Sequence, residues 1–114
     1  MKDASLRGCG TALITPFARD GSLDEKALRA LVDWQIAEGI HFLVPCGSTG
    51  EAQTLDDTER ERVVAVVVEA AGGRVPVMAG ATSNDTARAT AETRRMCRLG
   101  VDFILTATPY YNKP

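Results

Sequence analysis

The chain is poor in the residues on which many active sites are built, with one histidine, three cysteines and three lysines in 114 residues. Without a second histidine, His41 is a poor starting point for a metal site or a Ser/His dyad, and it reads as structural. Cys9, Cys46 and Cys97 are odd in number and too dispersed for a metal-ligand pair, which makes them reduced thiols and small buried hydrophobes. No metal or cofactor is expected. Long apolar runs are missing too. The longest, Val63 to Val68, falls far short of the roughly 20 residues that a membrane-spanning helix needs. Lys2, Asp3 and Arg7 interrupt any apolar signal-peptide core, which points to the cytoplasm. Positive charge is not in excess either. A net charge of -2 and a pI near 5.3 leave no broad basic surface for phosphates, which argues against nucleic acid and anionic membranes as partners.

What is present is ordinary in amount, with 45% hydrophobic and 25% charged residues, as in a soluble globular domain or part of one. Cys9 to Thr15 reads as a short buried strand stopped by Pro16, a residue that cannot donate a ladder hydrogen bond. Ser22 stands three residues before Glu25 as a capping-box pair, and Leu28, Leu31, Val32 and Ile36 recur at helical spacing until Gly39. Ile40 to Val44 is a second strand. Asp56 and Glu59 repeat the capping logic for a helix through Val63, Val64, Val67, Ala70 and Ala71 that Gly72-Gly73 can end. Val75 to Ala79 is a third strand. Ser83 or Asn84 can cap a third helix to about Leu99, whose apolar face rests on Ala87, Ala91 and Met96. Val101 to Ala107 is the fourth strand.

Strands and helices alternating about every thirty residues are the βαβ pattern of a parallel sheet. An internal echo supports repeated units. Gly39 to Val44 and Gly100 to Leu105 each run glycine, apolar, polar, aromatic, apolar, apolar. Such units fit an eightfold (β/α)8 TIM barrel of about 250 residues, of which four strands and three helices are present. A flavodoxin-like open sheet is the alternative.

The stretch that organises the chain is Pro45-Cys46-Gly47-Ser48-Thr49-Gly50-Glu51, between the second strand and the second helix. Gly47 and Gly50 can reach backbone angles closed to other residues and let amide N–H groups approach a ligand. The helix that follows would add its dipole, so a small carboxylate or phosphate is the natural guest. The same residue types also make an ordinary turn.

Four stretches together resemble the dihydrodipicolinate synthase family of pyruvate-dependent class I aldolases and lyases. They are Gly10 to Phe17, Gly47 to Glu51 with Thr54-Leu55, Ala79 to Asn84, and Pro109-Tyr110-Tyr111-Asn112-Lys113-Pro114. The resemblance covers nearly the whole chain, in order, at successive strand ends. It implies a TIM barrel in which pyruvate forms a Schiff base with a lysine on the sixth strand. The enamine then attacks an aldehyde, aspartate semialdehyde in the lysine-biosynthetic (diaminopimelate) member. Carried over by position, Ser48 and Thr49 would hold the pyruvate carboxylate, within the turn formed by Gly47, Gly50 and Glu51. Ser48 would also pass protons, and Tyr111 would reach across a tight dimer interface into a neighbour's hydroxyl relay. Hydroxyls suit that task because each can accept and donate a proton. A homo-oligomer is therefore expected.

Ser48 departs from the threonine usual in these synthases, and Gly-Ser-Thr-Gly-Glu is also the turn of N-acetylneuraminate lyases. The Tyr-Tyr-Asn-Lys-Pro ending favours the synthase. Where regulated members bind feedback lysine, this chain has Asp57, Arg60 and Arg88, so no lysine feedback is expected. Lys2 is terminal, Lys26 lies on a solvated helix face and Lys113 belongs to a turn, so none has the desolvation that lowers a Schiff-base amine's pKa. Residues 1–114 are accordingly expected to be the amino-terminal half of the barrel, inactive alone. The other reading is a non-catalytic half-barrel that associates through its open edges.

Overall fold

The computed structural model describes residues 5–113. Four short parallel strands alternate with three helices: β1 (Gly10–Ala12), α1 (Glu25–Ala37), β2 (Phe42–Val44), α2 (Asp57–Ala71), β3 (Met78–Gly80), α3 (Thr86–Arg98) and β4 (Phe103–Leu105), with one turn of 3-10 helix at Ala52–Thr54. Each strand is shorter than the apolar run that encodes it. Pro76 has no N–H to donate, and at the start of β4 the Val77 carbonyl already accepts from Asp102 and Phe103 at 2.9 and 3.2 Å.

Pairing fixes the order. β1 lies parallel to β2 with Thr11 opposite Leu43, and β3 parallel to β4 with Ala79 opposite Ile104. A parallel bridge from Leu43 to Val77 joins the pairs, with Leu43 N–H on the Pro76 carbonyl at 3.1 Å and Gly80 N–H on the Pro45 carbonyl at 2.9 Å. The order is thus 1-2-3-4 with no reversal, as in a barrel; a flavodoxin-like sheet would set β1 between β2 and β3.

Leu13, Leu43, Val77 and Ala79 share a buried core with Leu28 and Val32 of α1, Val63, Val64, Val66 and Val67 of α2, and Met96 of α3. Fully burying each valine stabilises by roughly 1.5–3 kcal/mol. That outweighs the roughly 0.5 kcal/mol of helix propensity each β-branched residue gives up in α2. The opposite face of the sheet is open, and Ile14 and Leu105 are 58% and 45% exposed. Side chains alternate along a strand, so this face is the inner wall of the half-barrel.

The helix starts partly correct the sequence reading. α2 has its expected capping box, Glu59 N–H to Asp56 at 2.8 Å and Asp56 N–H to Glu59 at 3.0 Å, and ends at Gly72 with φ 58°. α1 is capped by Asp24, which accepts from Ala27 N–H at 2.9 Å, instead of by Ser22. A bridge between Phe17 and Leu23 keeps the chain extended past Ser22, whose N–H and hydroxyl both go to Asp20. α3 is capped by Asp85 instead of Ser83 or Asn84, because the Asp85 carboxylate reaches Ala87 N–H at 3.0 Å. The buried face of α3 is Glu92 and Met96, while Ala87 and Ala91 are exposed.

The internal echo has a structural basis. At its polar position, His41 Nδ1 accepts Cys9 N–H at 2.9 Å and the Asp102 carboxylate accepts Val77 N–H at 3.0 Å. Both side chains tie a new strand to the start of a neighbour, which gives His41 the structural role expected of it. Of the three thiols only Cys46 is buried; Cys9 and Cys97 are exposed, contrary to the reading of all three as buried hydrophobes.

Candidate active site

The carboxyl ends of all four strands deliver their loops to one rim. After β2 the chain passes through Pro45 and Cys46 into the Gly47–Glu51 turn and then the 3-10 turn. The residues with left-handed backbone here are Cys46 (φ 59°) and Glu51 (φ 58°), not the glycines. The glycines' torsional freedom is therefore not what the turn uses.

Gly50 is needed for closeness: a Cβ there would stand 2.9 Å from the Leu13 carbonyl and 3.2 Å from Thr15 Oγ1. The Thr15 hydroxyl donates to the Gly50 carbonyl at 2.6 Å and is buried, strapping the turn to the end of β1. An added Cβ at Gly47 meets nothing within 4 Å, whereas one at Gly80 would lie 1.9 Å from the Cys46 carbonyl. That places β3 against the backbone at the root of the turn.

The expected helix dipole is also corrected. α2 begins at Asp57, after the 3-10 turn, so its amino-terminal end is separated from Ser48 and Thr49 by that turn, and its Glu59 N–H is taken by the Asp56 cap. The turn instead closes on itself, with Gly50 N–H on the Gly47 carbonyl at 3.1 Å, Glu51 N–H on the Ser48 carbonyl at 3.0 Å and Ala52 N–H on the Gly47 carbonyl at 3.4 Å. Consequently, among the described residues, neither the amides nor the hydroxyls of Ser48 and Thr49 have a partner within the chain. Both residues are exposed. Four donors on two adjacent residues suit the two oxygens of a carboxylate.

Beside the turn a cavity of about 240 Å³ is lined by Ser48, Cys46, Thr82, Thr106, Arg60 and Glu92, among others. Thr49 is not on its wall. The Thr82 hydroxyl accepts Ala107 N–H at 3.2 Å, joining the loops after β3 and β4 at this rim. Burial pushes the Cys46 thiol up to about 12, with the Arg60 charge opposing, so it is no nucleophile at neutral pH. Among the described residues, no group of His, Cys, Asp and Glu is arranged to hold a metal ion.

Tyr111 is fully exposed, with φ 67°, and lines none of these walls, so the chain itself does not bring it to Ser48. Tyr110 lines a neighbouring cavity of about 160 Å³, together with Asp57, Arg60, Asn84, Arg88 and Arg95. Lys26 and Lys113 are exposed, while Lys2 and Pro114 lie outside the described residues.

The sequence reading missed three contributors. Thr15 was legible only as part of the first motif. Arg60 reads in the sequence only as an effector position. Glu92 was hidden because a face centred on Ala91 rotates it outward, although its i, i+4 spacing to Met96 marks the true buried stripe.

The model of the Dihydrodipicolinate synthetase family matches residues 5–114. The chain is 61% identical over 110 residues to the 4-hydroxy-tetrahydrodipicolinate synthase of Koribacter versatilis, covering 96% of this chain and 37% of that protein. It is 54% identical over 114 residues to the corresponding synthase of Methylobacterium radiotolerans, covering 38% of it. Among solved structures, the chloride-inhibited dihydrodipicolinate synthase of Acinetobacter baumannii, complexed with pyruvate, superposes with a TM-score of 0.94 at 40% identity, over 96% of this chain and 38% of that one. The chain thus spans less than two-fifths of the length of the proteins it matches.

Proposed function

The chain belongs to the dihydrodipicolinate synthetase family, and from that premise we propose that it supplies the carboxylate-binding and proton-relay side of a pyruvate-dependent lyase active site. The product would be that of 4-hydroxy-tetrahydrodipicolinate synthase, made from pyruvate and aspartate semialdehyde for lysine biosynthesis in the cytoplasm. Residues 1–114 are the amino-terminal part of the barrel. One observation carries the reading: the Gly47–Glu51 turn is held on several sides and yet, among the described residues, leaves the donors of Ser48 and Thr49 unpaired, with Ser48 on the wall of a cavity.

In the proposed reaction a lysine amine from another part of the barrel condenses with the pyruvate ketone and releases water. Loss of a methyl proton then gives an enamine, whose carbon attacks the aldehyde. Ser48 and Thr49 anchor the carboxylate, so the ketone carbon stays at a fixed distance from the amine. The Ser48 hydroxyl passes protons during imine formation and release. Tyr111, left fully exposed by its own chain, completes the relay of a second subunit in a homo-oligomer. With Arg60 paired to Glu92, the neighbouring cavity sets Arg88 and Arg95 against Asp57, a poor match for a lysine ammonium, so the enzyme is free of lysine feedback.

Borohydride trapping tests this on the chain alone and on the chain continued by the carboxy-terminal part of its 61% identical relative. With pyruvate, the continued protein should give a reduced adduct on a lysine from the added part, and Ser48→Ala should lower its yield. A stable adduct on Lys26 or Lys113, or an undiminished yield in the Ser48→Ala protein, would defeat the proposal. The aldehyde used then separates a synthase from a lyase of the N-acetylneuraminate type, a choice that Ser48 keeps open.

A further inference from the structure

The loop that bears Ser48 and Thr49 is fastened to the rest of the molecule by a buried charge pair on two different helices. Arg60, in the first turn of α2, donates through Nε to the Ala52 carbonyl at 2.9 Å. Its Nη1 donates to both carboxylate oxygens of Glu92 on α3, at 2.9 and 3.0 Å. The two side chains are only 12% and 4% exposed. The same two residues line the cavity that Ser48 faces and the smaller cavity beyond it, so the pair is a wall between them.

Ala52 is the residue on which the turn closes, since its N–H goes to the Gly47 carbonyl and its carbonyl takes Leu55 N–H at 3.2 Å as well as the guanidinium. Holding Ala52 therefore holds the ring of backbone from Gly47 to Ala52 that presents Ser48 and Thr49. A buried ion pair is a weak source of stability, because packed apolar residues in its place are often neutral or stabilising. Two charges at this point are better explained by direction. A planar guanidinium can set Nη1 on a carboxylate and Nε on a separate carbonyl in one fixed geometry, which an ammonium's single nitrogen cannot do.

We propose that Arg60 is a positioning residue for the Ser48–Thr49 turn, and that Glu92 orients it. The inference rests on the carboxylate-binding reading for its purpose, but its mechanical content stands on the turn alone.

Site-resolved hydrogen exchange of the 114-residue chain tests it, with pyruvate titration followed at the Ser48 and Thr49 amides. Two variants are needed. Arg60→Met with Glu92→Leu replaces the pair by apolar residues, and Arg60→Lys keeps the charge while losing the second donor nitrogen. In either variant, exchange at the Gly50, Glu51, Ala52 and Leu55 amides should rise on the order of tenfold or more, as local opening allows, while α1 amides keep their wild-type rates. Pyruvate-induced shifts should weaken in the same variants. Unchanged exchange in the turn, or acceleration spread evenly over α1 and the turn, would overturn the proposal. If pyruvate shifts nothing in the wild-type chain while the acceleration is confined to the turn, the positioning role stands and the carboxylate-binding reading fails.

Discussion

The loops after β2 and β4 carry the two ends of the proposed hydroxyl relay, and the chain treats them in opposite ways. The loop after β2 is tied by Thr15 from β1, by Arg60 from α2, by Gly80 of β3 at its root and by its own amides. The loop after β4 has Ala107 N–H on Thr82 Oγ1 at 3.2 Å and a tight Asn112 N–H to Tyr110 carbonyl contact at 2.8 Å, and Tyr111 stands free in solvent with left-handed backbone. A group that must hold a substrate atom within a few tenths of an ångström needs packing that fixes it. One that completes another subunit's site must stand clear of its own. Under the proposed function, the carboxylate side of the site would be preformed within one chain and the tyrosine side finished by assembly.

The sharpest break in this comparison comes from leaving a charge stranded under the β2 loop. Arg60→Met with Glu92 retained buries a carboxylate without its partner, and such losses cost about 3–5 kcal/mol. Tyr111→Phe, in the other loop, should change stability by less than about 0.5 kcal/mol. Urea unfolding of the two variants measures both, and equal effects would end the claim that the loops are held differently. Gly80→Ala comes next. A methyl group 1.9 Å from the Cys46 carbonyl cannot be relieved by turning a side chain, so β3 and the root of the turn must part, at a cost of about 3 kcal/mol. Thr15→Val is milder, since it leaves the Gly50 carbonyl without its buried donor for about 1–3 kcal/mol. Ser48→Ala, whose hydroxyl has no partner within the described chain, should be nearly silent in the same experiment.

The sequence was informative where local rules and tertiary packing agree. The strand and helix order, the Asp56–Glu59 box and the terminating Gly39, Gly72 and Gly100 followed from periodicity and cap chemistry, and each stands in the structure. Ser22 failed because a distant constraint, the Phe17–Leu23 bridge, holds the backbone extended where the local signal favours a cap. Gly47 and Gly50 misled differently. Their types suggested left-handed torsions, but Cys46 and Glu51 take those, a choice made by surrounding contacts that no residue preference reveals. Ser48 and Thr49 are legible as a pair of hydroxyls in an exposed turn after a strand, while the carboxylate they are proposed to hold comes from the family resemblance. Thr15, Arg60 and Glu92 are not, because they act through side-chain hydrogen bonds to partners 35, 8 and 32 residues away in sequence.

The smallest effect sharpens the comparison at one atom. Cys46 lies at the root of the β2 loop, with its Sγ 3.8 Å from the Arg60 carbonyl, and burial pushes its thiol from 9.0 up to about 12. A pKa raised by folding means that the native state resists ionisation. The thiol therefore detracts nothing below about pH 9 and weakens the fold as pH climbs from there toward 12. Cys46→Ala should match the wild type in its pH dependence at neutral pH and lose less stability between pH 9 and 10.5, with the difference between the two chains cancelling the other titrating groups. Labelling with a thiol reagent at pH 8 should meanwhile modify Cys9 and Cys97, which are exposed, and spare Cys46 until denaturant is added. Rapid labelling of Cys46 in the native chain would mean that the root of the loop opens on its own, and the β2 loop would then be no better fixed than the one after β4.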